Sequence, residues 1–164
     1  RRADADPRRA AELAGRRLGS SRGVLGGRSP PSGRAVTRHL FEYAVLRVVP
    51  RVDRGETMNA GVLLYCRPLD YLGSRIWLDE DRLRALDPAA DAAAVRRALQ
   101  AAADICGGDP DAGPPAREDL GKRFRWLTAP RSTVVQPGPV HTGLTEDPDA
   151  DAERLLRALV LPLR

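Results

Sequence analysis

The stretch LFEYAVLRVVP, residues 40–50, limits the fold more than any other part of the chain. Read as an extended strand, it places Phe41, Tyr43, Val45 and Val49 on one side and Ala44, Leu46 and Val48 on the other, so both sides are apolar. A strand of that kind belongs in the interior of a sheet. The turn-rich RVDRGET follows, then MNAGVLLYCR, a second β-favouring run closed by Pro68. Two strands joined by so short a loop pair as an antiparallel hairpin, because a parallel return needs a crossover. SRIWLD, after a PLDYLG turn, reads as a third strand, and RSTVVQ as a fourth.

Between and after these strands the hydrophobic period changes from two to about 3.6. LDEDRLRALDP fits a short helix capped at Asp79. The next segment predicts a longer helix capped at Asp87, with Pro88 in its first turn, Val95, Leu99, Ala102 and Cys106 inward, and Gly107 and Gly108 as its stop. REDLGKRFRWLT spaces Leu120, Phe124 and Leu127 at helical intervals despite Gly121. DPDADAERLLRALVL is the clearest helix, with Asp147 as cap, acids early, Arg157 late, and Leu155, Leu156 and Leu159 inward. The expected fold is therefore α+β: a small antiparallel sheet of about four strands packed by three or four helices, spanning residues 38–164.

Residues 1–37 have a different texture. They are rich in Arg, Gly, Ser, Pro and Ala and lack aromatic residues, which predicts a disordered arm unable to bury enough apolar area to offset chain entropy. A short helix over 7–17 fits its Ala, Leu and Glu content. The sole methionine is Met58, and the expectation is that the functional unit begins near Val36, the arm being dispensable or an over-extended reading frame.

Charge sorts with this division. Residues 1–38 hold ten arginines against Asp4, Asp6 and Glu12, which exceeds the whole chain's formal excess of +5, so the remainder is slightly acidic. Nonspecific nucleic-acid affinity requires a basic surface. Nucleic acid is thus not expected to bind the folded part, and only weakly the arm, whose arginines attract any polyanion. No apolar run approaches the roughly 20 residues that span a bilayer, and no membrane role is expected. Cys66 and Cys106 form neither a disulfide framework nor a zinc pattern. A reducing cytoplasm fits them, and no metal or cofactor is expected.

Two stretches, YAVLRVVPRVDRGETMNAGVLLYCR and FRWLTAPRSTVVQPGPVHTGL, together resemble the bacterial domain-of-unknown-function family 3037. The resemblance rests on Arg47 to Pro50, Arg54 with Glu56, Asn59 to Val62, Thr128 to Thr133, and Val140 to Gly143, within a match over about residues 38–161. It implies a bacterial cytoplasmic protein without an assigned activity. From the family's usual gene context it also implies a HipA-like kinase as neighbour and partner.

Two polar segments carry the candidate chemistry. In the hairpin connection, Arg54, Glu56 and Asn59 would bind phosphate or activate water if they converged; alone, Arg54 and Glu56 make an exposed ion pair and Asn59 holds a loose backbone group. In the later segment, Arg131, Ser132, Thr133, Gln136, His141 and Thr142 offer an anion or nucleotide fork contacts and neutral donors. Lys122, Arg123 and Arg125 flank Trp126 as a stacking surface nearby. The alternative is that Phe124 and Trp126 are core and that Pro137 and Pro139 strap a sheet edge. Ser132, His141 and Asp147 contain the residue types of a hydrolase triad without a nucleophile elbow. The reading reached is a non-enzymatic binding or accessory protein. Its rival is a small hydrolase or nucleotide-directed enzyme with Glu56 or His141 as general base. Both require the fold to bring the early and late segments side by side.

Overall fold

The computed structural model describes residues 37–162. The expectations for the arm that precedes them, including the helix over 7–17, lie outside the described residues. Strands β1 (His39–Val48) and β2 (Met58–Cys66) form the antiparallel hairpin; β3 (Tyr71–Ile76) adds to β2, and β4 (Val135–Thr145) adds antiparallel to β1. The order β3-β2-β1-β4 makes β1 an interior strand, as its two apolar faces demand. With helices α1 (Glu80–Leu86), α2 (Ala92–Gly107), α3 (Leu120–Thr128) and α4 (Pro148–Leu159), the architecture is the α+β class expected.

Both faces of the sheet are covered. Leu46, Val48, Met58, Ala60 and Leu63 look toward α1, α2 and α3, where they meet Leu83, Val95, Leu99, Ile105, Phe124 and Leu127. On the opposite face, Phe41, Val62, Leu64 and Cys66 meet Ala152, Leu155, Leu156 and Val160 of α4 and its exit. β2 thus feeds two cores, its alternation switched by the irregularity at Ala60, where Leu46 pairs with Gly61 and Arg47 with Asn59, and each buried Leu, Val or Phe contributes roughly 1.5–3 kcal/mol. Cys66 and Cys106 fall in different cores, separated by the sheet. No described helix is long and apolar enough to cross a membrane.

Four details differ from the sequence expectations. α2 is capped by Asp91, whose Oδ1 accepts from the Ala94 N–H at 2.9 Å. Asp87 instead ends α1, and its carboxylate accepts from the Ala89 N–H at 3.0 Å, so Pro88 sits in a turn ahead of the helix. β3 runs from Tyr71 to Ile76 in place of Ser74 to Asp79, because the turn closes at Asp70, which takes the left-handed conformation with φ 46°. Leu159 of α4 is partly exposed, and Ala152 takes the inward place beside Leu155 and Leu156. The fourth strand begins only at Val135 and runs on through Pro137, Gly138 and Pro139 to Thr145. Two prolines fit because β4 is an edge strand, and because the register shifts between Ala44 and Leu46, where one extra β4 residue bulges opposite Val45.

α4 is tied to β3 by polar contacts as well as by its apolar stripe. Asp149 accepts from Arg75 at 2.6 Å and from the Tyr71 hydroxyl at 3.0 Å. Burial, reinforced by the carboxylate it donates to, pushes the Tyr71 phenol up to about 12. The sheet, α2 and α3 then frame the concave surfaces considered next.

Candidate functional site

The hairpin loop is exposed from Arg51 to Thr57. Within it Gly55, at φ 71°, supplies the left-handed turn, and Arg54 grips Glu56 through two bonds of 2.8 and 3.0 Å. That hydrogen-bonded guanidinium holds the Glu56 carboxyl below its ordinary range. A base so stabilised accepts a proton less readily than a free glutamate. Asn59 points elsewhere: its Nδ2 donates at 2.8 Å to the Leu159 carbonyl at the end of α4. Asn59 therefore caps a helix C-terminus. Substituting Asn59→Ala should lower stability by about 1 kcal/mol in urea unfolding, the worth of one such bond, and leave the strand pairing intact.

The early and late segments meet only in part. The Val49 N–H donates to the Val134 carbonyl at 2.7 Å, so the Arg131–Thr133 segment stands at the same end of the sheet as the Arg54 loop. His141 and Thr142 do not. They pair with Tyr43 and Glu42, about 16 Å along β1 from Val48 at the usual rise per residue. His141 is an exposed edge-strand residue whose ring lies 5.3 Å from that of Tyr43. The hydroxyl of Thr133 donates to the Val135 carbonyl at 2.7 Å, and Ser132 is exposed beside it, while Gln136 pairs with Arg47 at the start of β4.

The basic residues flanking Trp126 are mostly engaged. Lys122 contacts Glu118 at 3.0 Å, Arg123 donates to the Cys106 carbonyl at the end of α2, and Arg125 forms a two-bond pair with Glu42 at 3.0 and 2.6 Å. Arg125, Glu42 and Lys122 line a shallow depression of about 790 Å³ with Leu40, Tyr65 and Arg67, whose charges largely satisfy one another. Arg131 differs. Its guanidinium carbon stands 4.5 Å from the centroid of the Trp126 ring, and it donates to the Ala129 and Trp126 carbonyls at the end of α3.

Trp126 itself is 42 % exposed, whereas Phe124 is fully buried and stacked on Tyr65 at 5.4 Å. Two residues along a helix lie about 200° apart, so the pair cannot both face the core. The outward indole walls a groove of about 300 Å³ between α2, α3 and the entry to β4. Ala98, Ala101 and Ala102 line it from α2, Leu127 from α3, and Arg131, Thr133, Val134 and Pro137 from the late segment. Of the sequence candidates, Arg131 and Thr133 reach this groove. Residues 43–160 match the family described as a protein of unknown function, DUF3037.

The chain belongs to the DUF3037 family. No curated protein matches it, and neither does any solved structure. The α2 contribution to the groove of this DUF3037 domain was hidden in sequence, because exposed alanines such as Ala98 and Ala101 carry no signal of what they face. The Trp126 contribution was visible in its two-residue offset from Phe124.

Proposed function

We propose that this DUF3037 protein is a non-enzymatic binding or accessory protein whose contact surface is the groove beside Trp126 and Arg131. The observation that carries the reading is a large indole left exposed with a guanidinium stacked over it. Exposed tryptophan and arginine are the side chains that most often dominate recognition energy, because both offer broad contact area with a polar edge. An anion or nucleotide is the ligand such a surface favours, with stacking on the ring and charge-assisted bonds to the guanidinium. Glu56 as general base gains nothing from its surroundings, being solvent-exposed and held by Arg54.

The family resemblance adds a partner, a HipA-like kinase encoded nearby in a bacterial cytoplasm. The test is to co-purify the full chain with the product of the adjacent kinase gene, with Trp126→Ala alongside. A complex at micromolar concentrations that weakens tenfold or more in Trp126→Ala supports the proposal, since a central aromatic anchor is worth about 2 kcal/mol or more. No complex at those concentrations, or one indifferent to Trp126, counts against the kinase contact.

A further inference from the structure

The composition of the groove selects among ligands. Its lining is apolar over α2, α3 and the 134–137 segment, and among the described residues it includes no aspartate or glutamate. Among the described residues Arg131 is its one charged lining residue. A guanidinium has five N–H donors; one at Nε and one at Nη2 are used on the Ala129 and Trp126 carbonyls, so three have no partner among the described residues. The Trp126 ring, 4.5 Å from the guanidinium carbon, and the two carbonyl bonds together hold Arg131 at the groove.

We infer that the groove binds a small amphipathic monoanion, an aryl or medium-chain carboxylate or sulfonate, with its apolar body on Ala98, Ala101, Ala102 and the Trp126 ring and its acid group on Arg131. This rests on the groove reading above and narrows it. A nucleoside polyphosphate brings several negative charges, and a groove with one cation leaves all but one of them uncompensated. A volume near 300 Å³ is at the lower end for small-molecule sites, enough for a bicyclic ring or an eight-carbon chain. Charge complementarity supplies orientation, and apolar contact supplies the rest of the affinity.

The probes are 1-anilinonaphthalene-8-sulfonate and octanoate, added to the full chain carrying Trp77→Phe so that Trp126 alone reports. The expected result is saturable one-to-one quenching by the sulfonate, its displacement by octanoate, and affinity about tenfold weaker in Arg131→Gln, the loss of one charge-assisted contact. Arg131 also caps α3, so a second variant avoids that ambiguity. Ala101→Glu puts a carboxylate at an exposed helical position that tolerates it. It should abolish binding with an unchanged melting temperature. Binding unaffected by Ala101→Glu overturns the proposal. So does binding of AMP or ATP at the same site with no response to the sulfonate, an outcome that keeps the wider anion-surface reading. Failure of all four probes while the kinase complex forms removes the ligand class alone.

Discussion

Replacing Phe124 with alanine should destabilise the domain by about 3–5 kcal/mol, the usual range for deleting a buried aromatic side chain. Phe124 is fully buried in the core between the sheet and α1–α3, and it stacks on Tyr65 of β2 with an interplanar angle of 26°. The loss therefore combines transfer free energy, the cavity left behind and the ring contact with Tyr65. Small domains hold only about 5–15 kcal/mol in total, so the variant should melt on the order of 10–20 °C lower. Phe124→Leu keeps most of the volume and should cost far less. Urea unfolding of both variants checks the ranking. If alanine and leucine cost the same, Phe124 does not organise this core. Because α3 carries Trp126 and receives the Arg131 contacts, Phe124→Ala should also weaken whatever binds the groove, without touching it.

The layers were legible because they depend on pattern. Strand β1 announced its interior position through Phe41, Tyr43, Ala44 and Leu46, α3 announced its inward Phe124 and Leu127, and α1 and α4 announced their caps at Asp79 and Asp147. Boundaries were legible only where one signal stood alone. Asp87 was read as the α2 cap, but its carboxylate serves the turn through the Ala89 N–H, which leaves the cap to Asp91. The Pro-Gly-Pro segment hid a strand because the rule that prolines interrupt sheets assumes a neighbour on each side, and the outer edge of β4 has none among the described residues.

The site was less legible, for a physical reason. Sequence shows residue types, whereas a site depends on which polar groups already have partners. Asn59 is used by the Leu159 carbonyl, Arg54 and Glu56 by each other, Arg125 by Glu42 and Arg123 by the Cys106 carbonyl. None of these partnerships follows from spacing along the chain except the Arg54–Glu56 pair. Arg123 also keeps a buried Nε without a partner among the described residues, and Arg131 stands apart because it lines the groove beside the exposed Trp126 ring.

The second large effect is an alkaline loss of stability governed by Cys106. Burial at the end of α2 pushes this thiol up from 9.0 to about 11; Ser74 and Arg123 oppose the shift only in part. In the unfolded chain the thiol ionises near pH 9, while in the folded chain it keeps its proton to about pH 11, so between these values the native state binds more protons than the unfolded one. Stability is accordingly intact below pH 9 and falls as pH rises to 11, by about 2–3 kcal/mol. Tyr71, raised to about 12 by burial, acts with the same sign above pH 10, reduced by its exposure to solvent. Cys106→Ala should be less stable than the parent at pH 7, since it leaves a small cavity, yet it should lose less on going from pH 9 to 11. The check is urea unfolding of both chains across that range. Parallel pH curves would show that the thiol ionises alike in both states, and that the end of α2 is open to water.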